Sequence, residues 1–259
     1  MSPTLEEIKI IAREAGAILR AGYGQVHQVE MKGLTDPVTE TDKKSDAFII
    51  SYIKEHYPDH SIVAEESGVF QGTNGSCWYI DPLDGTVNFS HGIPLFCVSI
   101  AYAENGELKL SAVYDPMRDE LYYAEKGKGA WLNDRPMKVS EPKDLIHSLS
   151  VTGFPYDQES YEMKRGLELY KKFSLNAQAC RRFGSAALDM CYVAAGRMDI
   201  YFEISVNSYD IAAGILLVEE AGGIVTKFDG STDYLSAPIS VIATSKEIHP
   251  TVLRMIRKD

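Results

Sequence analysis

Residues 78–92, WYIDPLDGTVNFSHG, constrain the fold and chemistry of this chain more than any other stretch. The first three residues are of the aromatic and β-branched types that buried strands prefer. Pro82 has no backbone N–H to donate within a sheet, so the strand is predicted to end near Asp81. In open α/β sheets, ligands bind in the crevice outside the carboxyl ends of the strands. Asp81 is therefore predicted to face a ligand site.

The rest of this stretch supplies a second carboxylate and a cradle for an anion. Asp84 follows Asp81 across a proline-stiffened turn, which brings the two acids toward one point. Gly85 and Thr86 add unhindered backbone N–H groups and a hydroxyl, which suit a phosphate oxygen. Carboxylates select Mg²⁺ or Mn²⁺ over zinc, and two ions about 4 Å apart can hold both oxygens of an in-line displacement. The pattern predicts metal-assisted hydrolysis of a phosphate ester.

Further acids lie at predicted strand ends or helix starts, namely Asp42, the pair Glu65 and Glu66, and Asp210. Each has an ordinary explanation when taken alone, because such acids usually cap a helix or are solvated at a strand end. Together with the central motif they favour a converging site, in which a threonine and a glutamate orient and deprotonate water. Two residues separate Asp81 from Asp84, which disfavours the phosphatase design with a nucleophilic DxD aspartate.

Length and composition exclude several classes of protein. The 259 residues suit one compact domain, 1–259, and the net charge of −11 argues against binding a nucleic-acid backbone. No apolar run approaches the roughly 20 residues that cross a bilayer, and no secretory signal begins the chain, so the cytoplasm is expected. The cysteines show no CxxC spacing and are predicted to be buried free thiols: Cys77, Cys97, Cys180 and Cys191.

The order of predicted elements favours layered helices and sheets, with an antiparallel part at 1–145 and an α/β part at 146–259. A loop or short hairpin is expected at 31–42, a mobile loop at 68–76 and a turn-rich segment at 126–135. Helices are predicted at 4–22, from a cap at Thr41 or Asp42 to residue 57, and at 158–173, 186–195, 211–221 and 250–257. Strands are predicted at 61–64, 78–81, 95–103, 107–114, 120–124, 148–153, 199–203, 223–227 and 239–244.

At these motifs the chain closely resembles the inositol monophosphatase family of magnesium-dependent, lithium-sensitive sugar-phosphate phosphatases. Both signature stretches of the family are present, at 78–92 and, as YDIAAGILLVEEAGG, at 209–223. The resemblance covers nearly the whole chain. It implies a mixed α/β fold, the layered αβαβα sandwich of the inositol monophosphatase and sugar phosphatase type, and a homodimer.

The resemblance also implies roles for individual residues, carried over position by position. Two or three Mg²⁺ ions, or Mn²⁺, would be bound by Glu65, Asp81, the backbone carbonyl of Leu83, Asp84 and Asp210, with Asp81 bridging two ions. Glu65, Thr86 and Asp42 would activate the water, and Glu66 would lie outside the ring of metal ligands without binding the ions itself. The substrate would contact Asp84, Gly85, Thr86, Gly184, Ser185, Ala186 and Glu203, the last through sugar hydroxyls.

Two departures from the family pattern concern an aromatic residue and a pair of arginines. Tyr209 stands where the second signature commonly has tryptophan, so an aromatic residue is retained. Arg181 and Arg182 precede the substrate segment, where one of them would bind a second phosphate, or both would be exposed charges or dimer contacts.

The expected function is Mg²⁺-dependent hydrolysis of a small polyol or sugar phosphate, with myo-inositol 1-phosphate as the expected substrate. Fructose-1,6-bisphosphatase, histidinol-phosphatase and adenosine 3′,5′-bisphosphate nucleotidase activities are alternatives. A non-catalytic regulatory or binding protein on the same fold is an alternative from a different class. Neither a nucleic acid nor a membrane is an expected partner.

Overall fold

The computed structural model describes residues 2–25, 29–31 and 37–257, and it stacks helices and sheets in alternating layers. Helices α1 (Leu5–Gly22) and α2 (Glu40–His56) cover one face of a large sheet. Helices α5 (Ala186–Ala194) and α6 (Ser208–Glu220) lie between that sheet and a smaller one. Helices α4 (Tyr161–Asn176) and α7 (His249–Arg257) pack on the other face of the smaller sheet. This αβαβα order confirms the predicted fold class.

The large sheet is antiparallel except for one pair next to its β4 edge. Its strand order is β10-β9-β8-β7-β6-β5-β3-β4, and β3 runs parallel to β5. The strands are β3 (Ser61–Ala64), β4 (Gly68–Phe70), β5 (Ser76–Asp84), β6 (Cys97–Glu104), β7 (Glu107–Asp115), β8 (Glu120–Glu125), β9 (Gly129–Leu132) and β10 (Arg135–Pro136). A separate hairpin of β1 (Val29–Met31) and β2 (Pro37–Thr39) precedes α2.

The smaller sheet is mixed. Its strand order is β12-β11-β13-β15-β14, with β11 parallel to both of its neighbours and the other pairs antiparallel. The strands are β11 (Leu149–Thr152), β12 (Ala179–Arg181), β13 (Ile200–Ile204), β14 (Ile224–Thr226) and β15 (Ser240–Thr244). A single 3₁₀ turn, Leu145–His147, leads into β11.

The core explains why several segments are apolar without alternation. Along β6, Ile100 and Tyr102 belong to the hydrophobic cluster of α1 and α2, whereas Ala101 and Ala103 belong to that of α5 and α6. A strand covered on both faces needs apolar residues at every position. The middle helices are likewise buried on all sides, from 187 to 194 in α5 and from 211 to 218 in α6. Such helices need no polar face.

The predicted helix starts need three corrections. Helix α4 is capped by Ser160 and begins at Tyr161 rather than at 158. Helix α2 is capped by Thr39 rather than by Thr41 or Asp42, because Thr39 and Asp42 form a reciprocal capping box in which Asp42 is the third helical residue. Helix α6 begins three residues before the predicted position 211, since Asn207 and Asp210 form the same kind of box. In α2 and α6, the acid that was expected at the helix start is the third helical residue. Its carboxylate accepts a hydrogen bond from the backbone N–H of the N-cap residue.

The predicted strands are incomplete at the sheet edges and at the central motif. Strand β5 continues through Pro82 to Asp84, because a bulge accommodates the residue that cannot donate. The expected loop at 68–76 contains β4, the turn-rich segment at 126–135 contains β9 and part of β10, and β12 was not predicted. These strands have two to four residues each, which is too short for a periodic signal. Within the expected hairpin at 31–42, residues 32–36 lie outside the described residues.

The four cysteines are free thiols, as predicted, and three of them are buried, while Cys77 is partly exposed. Among the described residues, no helix combines the length and the apolar character that crossing a bilayer requires.

The close packing of α5 on α6 depends on Gly214, and Gly214→Ala should lower stability. A methyl group there would lie 2.5 Å from Met190 Cβ, inside van der Waals contact, and overpacking of this kind costs about 1–3 kcal/mol. Urea denaturation measures the loss. Gly166→Ala in α4 is the matched control, since its methyl group would meet the half-buried Phe154 ring at 3.0 Å. An equal effect of both substitutions would contradict the argument.

Candidate active site

The two acids of the central motif lie at the bulge that interrupts β5. The pairing of β5 with β6 shifts register between Asp81 and Asp84. Asp81 is 2% exposed, and its Oδ1 accepts a hydrogen bond from Leu83 N at 3.0 Å. The carbonyl oxygen of Pro82 accepts a hydrogen bond from Ser45 Oγ of α2 at 2.9 Å. Both acids line one cavity, so the bulge places the end of this strand at a site, as bulges often do.

Gly85 and Thr86 begin the short helix α3 (Thr86–Ser90) directly after the bulge. Gly85 has φ of 98°, and a Cβ there would lie 2.8 Å from Leu95 O, so conformation and space both require glycine. The Thr86 hydroxyl is within 3.0 Å of two acceptors, Asp42 Oδ1 and Leu83 O. Its one hydrogen can serve either acceptor.

Asp42 reaches this hydroxyl from the first turn of α2. Its Oδ2 accepts hydrogen bonds from the backbone N–H of Thr39, at 3.0 Å, and from the Thr39 hydroxyl. Burial raises the pKa of Asp42, while hydrogen bonds from Thr39 and Thr86 act in the opposite direction. The capping box therefore fixes a buried acceptor against Thr86.

Asp84 connects the large sheet to the middle helices. Its Oδ2 accepts hydrogen bonds from Ser185 Oγ and from Ala187 N, each at 2.7 Å. Ser185 is the N-cap of α5 and also accepts from Leu188 N. Burial raises the pKa of Asp84 to about 6, although these hydrogen bonds lower it. A carboxylate at a helix N-terminus is stabilised by the free N–H groups and the helix dipole.

Two further acids, Glu65 and Asp210, lie close enough to Asp81 and Asp84 for their charges to interact. Glu65 follows β3, where its backbone N–H donates to Ile80 O at 3.1 Å. Asp210 lies in the first turn of α6 and accepts from Asn207 N at 2.7 Å. Burial raises the pKa of Asp81 well above its usual range, and the charges of Glu65, Asp84 and Asp210 raise it further. Burial and the charge of Asp84 likewise raise the pKa of Asp210.

The donor set fits a hard divalent cation. Glu65, Asp81, Asp84 and Asp210 offer carboxylate oxygens on one cavity, and Leu83 adds a backbone carbonyl beside them. Their mutual repulsion is what a cation between them would relieve. In the part of the chain that the structure describes, no three His, Cys, Asp or Glu side chains are yet arranged closely enough to hold an ion.

The cavity extends from the acids to a second wall that suits a substrate. Its volume is about 320 Å³, which is the size of a small-molecule site. Glu203, on β13, is 8% exposed and accepts from Tyr201 Oη at 2.8 Å. Burial raises the pKa of Glu203 to about 7. A Cβ on Gly153 would lie 2.3 Å from the Glu203 carboxylate, so the missing side chain at 153 makes room for it.

The structure brings most of the predicted site residues to this cavity. Asp42 contacts it only through Thr86, Glu66 does not line it, and Arg182 lines it whereas Arg181 does not. Arg182 also lies over the Phe154 ring, 5.5 Å from its centroid. The predicted residues that line it are Glu65, Asp81, Leu83, Asp84, Gly85, Thr86, Gly184, Ser185, Ala186, Glu203 and Asp210.

Sequence reasoning missed Asp189 of α5, which lines the same cavity and is 1% exposed. An acid in an otherwise apolar helix segment, AALDMCYVA, was the available signal. Buried carboxylates are rare enough to require an explanation.

Comparison with known proteins agrees with the fold. The model of the inositol monophosphatase family matches residues 1–259. The chain belongs to the inositol monophosphatase family. The family is generally Mg²⁺-dependent, which agrees with the donor set. Membership supports a phosphatase of this family without naming its substrate.

Individual relatives align along almost the whole chain. A protein of Pasteurella multocida named Nus factor SuhB is 42% identical over 260 residues, covering 99% of this chain and 97% of that protein. The extragenic suppressor protein suhB of Bartonella henselae superposes with a TM-score of 0.91 at 36% identity, covering 98% of each chain. The inositol monophosphatase of Anabaena (Nostoc) sp. PCC 7120 superposes with a TM-score of 0.87 at 39% identity, covering 97% of this chain and 94% of that one.

The clustered charges predict opposite effects of Asp81→Asn without and with Mg²⁺. Without the ion, removing one buried charge relieves repulsion, and the melting temperature should rise. With Mg²⁺ at 100 times the dissociation constant, the wild type should gain about 2.7 kcal/mol, or roughly 5–10 °C, and the variant much less. Differential scanning fluorimetry measures both effects.

The matched control is Asp115→Asn, which replaces a buried aspartate paired with Arg118 at 2.8 Å on the same sheet. This variant should lose stability because the arginine is left unpaired, and it should keep the full response to Mg²⁺. An undiminished Mg²⁺ response in Asp81→Asn would contradict the assignment of Asp81 as a ligand.

Proposed function

We propose that this protein is a Mg²⁺-dependent phosphomonoesterase acting on a small polyol or sugar phosphate, with myo-inositol 1-phosphate as the substrate. The observation that carries the proposal is the convergence of Glu65, Asp81, Asp84 and Asp210 on one cavity, beside the glycine turn and hydroxyl of Gly85 and Thr86. Carboxylates that repel one another next to an anion cradle suit a bridging cation and a phosphate.

The residues at the acidic end divide into ion ligands and groups that handle the proton of water. Glu65, Asp81, Asp84, Asp210 and the Leu83 carbonyl would hold Mg²⁺, which when bound supplies Lewis-acid activation of water and neutralises phosphate charge. Thr86 donates its hydrogen toward Asp42, which leaves its oxygen free to accept a hydrogen bond from the attacking water. Asp42, held by Thr39, orients that hydroxyl, and Glu65 is placed to assist proton removal.

The opposite wall supports a hydroxylated leaving group. Glu203 is a buried carboxylate with acceptor capacity beyond its bond from Tyr201. Gly184, Ser185 and Ala186 form the rim between this wall and Asp84. A polyol presents hydroxyl donors to such a wall, whereas an apolar alcohol would leave the acceptor unpaired.

Arg182 favours the alternatives within the class that carry a second phosphate. It lines the cavity and can pair bidentately with a second phosphate, so fructose 1,6-bisphosphate is the second candidate substrate. Adenosine 3′,5′-bisphosphate also carries a second phosphate that Arg182 can bind, whereas histidinol phosphate has no comparable support among the cavity residues. Arg181 points elsewhere, toward the backbone of Cys180.

A regulatory role is the alternative from another class, because the Pasteurella multocida relative is named a Nus factor. The retained acids weigh against loss of catalysis, since a protein that only bound a partner would have no need of mutually repelling buried carboxylates. The two roles are compatible on one fold. A single domain, a homodimer, a cytoplasmic location and sensitivity to lithium remain predictions.

Phosphate release in the presence of Mg²⁺ tests the proposed activity. The kcat/KM for inositol 1-phosphate should be about 10-fold higher than that for fructose 1,6-bisphosphate, histidinol phosphate or adenosine 3′,5′-bisphosphate. This ratio corresponds to about 1.4 kcal/mol of transition-state discrimination. Asp81→Asn should abolish release while unfolding remains cooperative. Asp115→Asn serves as the control for a lost buried charge. More than a few per cent residual activity in Asp81→Asn would contradict the metal assignment.

Glu203→Gln should raise KM for inositol 1-phosphate more than for 4-nitrophenyl phosphate. The substitution keeps the shape of the side chain but removes its charge and one acceptor. Only the polyol has hydroxyl groups whose hydrogen bonds to this side chain would be weakened. Steady-state kinetics with both substrates give the comparison. Equal changes for both would remove Glu203 from the substrate site.

A further inference from the structure

Asp189 lies on the cavity face of α5, one turn beyond the residue that anchors this helix to Asp84. Its backbone N–H donates to Ser185 O at 3.0 Å, so residues 185 and 189 are stacked on the same side of the helix. Ser185 faces Asp84, and Asp189 lines the same cavity. The neighbours Leu188 and Met190 instead belong to the hydrophobic core.

The carboxylate of Asp189 is buried without the hydrogen bonds that buried acids normally have. The residue is 1% exposed, and its Oδ1 has no hydrogen-bond partner among the described residues. By contrast, Asp115, equally buried, accepts from two backbone N–H groups and pairs with Arg118. An unpaired buried acceptor destabilises the folded protein, so the burial of Asp189 is costly unless a bound molecule supplies a donor.

Asp189 lies at the same end of the cavity as Glu203 and Arg182. Burial raises the pKa of Asp189 well above its usual range, and the charge of Glu203 contributes in the same direction. Arg182 opposes this shift for both acids. The positive charge of Arg182 in the same cavity disfavours another metal ion there. It leaves the two carboxylates as acceptors for neutral donors such as hydroxyl groups.

We propose that Asp189 is a specificity-determining residue, whose carboxylate together with Glu203 accepts hydrogen bonds from two different hydroxyl groups of a polyhydroxylated substrate. The ligand class is a polyol or sugar monophosphate with hydroxyls on both sides of its leaving group. The inference deepens the proposed function and rests on it. A site built to bind hydroxyls rejects analogues that lack them far more strongly than an apolar pocket rejects a missing methylene.

The test compares inositol 1-phosphate with cyclohexyl phosphate, which has the same ring and no hydroxyl groups, in wild type and Asp189→Leu. Wild type should prefer inositol 1-phosphate in kcat/KM, and Asp189→Leu should reduce that preference about 10-fold, mainly through KM. Cyclohexyl phosphate turnover should be unchanged or faster. Met190→Leu, a volume-conserving change on the core side of α5, is the control and should leave the preference intact.

Thermal unfolding separates a specificity role from a structural one. Asp189→Leu removes the unpaired buried oxygen and the isosteric Asp189→Asn removes the buried charge near Glu203, so both should raise the melting temperature. A lower melting temperature with parallel loss of both activities in Asp189→Asn would overturn the proposal and make Asp189 a support of α5. An unchanged substrate preference in either folded variant would also overturn it.

Calorimetric binding of inositol 1-phosphate in Mg²⁺ distinguishes failure of this inference from failure of the proposed function. If wild type binds inositol 1-phosphate without releasing phosphate, the proposed activity is wrong, and a 10-fold weaker affinity in Asp189→Leu still supports the hydroxyl contact. Equal affinities, or no binding by wild type, would overturn the inference.

Discussion

The hydrogen bonds that Asp84 accepts from Ser185 and Ala187 hold the two halves of the structure in register. They join the end of β5, in the large sheet, to the N-terminus of α5, which packs against the smaller sheet. A hydrogen bond to a charged group contributes about 1.5–3 kcal/mol, and here two such bonds end on one oxygen. Because Asp84 also lies at the cavity, the contact that assembles the layers also sets the distance between the acids and the substrate wall.

The fully buried middle helices explain how such a site remains ordered. Four acids that repel one another would spread apart on flexible loops. Here Asp210 is fixed by the capping box at the start of α6, Asp84 by the N-terminus of α5, and Asp81 by its bond from Leu83 N. Helices packed on all sides cannot shift without opening the core. The packed interior thus holds the acids in place against their mutual repulsion, although burial itself disfavours their charged forms.

The sequence predicted the layered fold and the acidic end of the site because both are encoded locally. DPLDGT places two carboxylates, a glycine turn and a hydroxyl within six residues, and long apolar segments identify the covered strands and helices. The short edge strands β4 and β12 were missed, since pairing with a neighbour rather than local pattern makes them strands. Thr39 was missed as the cap of α2 because Asp42, one of the two expected caps, is instead the third helical residue and closes the box from inside the helix.

Asp189 shows why the wall around Glu203 is harder to predict than the acidic end of the cavity. In the sequence it is one acid within an apolar helix, and local context alone favours an exposed position. Its position in the cavity can be interpreted only from residues in other parts of the fold. The hydrogen bond from Ser185 to Asp84 fixes the orientation of α5, and the absence of a side chain at Gly153 leaves room for Glu203. The positive charge of Arg182 opposes the rise in the pKa of Asp189 and Glu203. The acidic end of the cavity, which short motifs supply, is therefore predictable from sequence, whereas the wall around Glu203 depends on how α5, β13 and the segment after β11 meet.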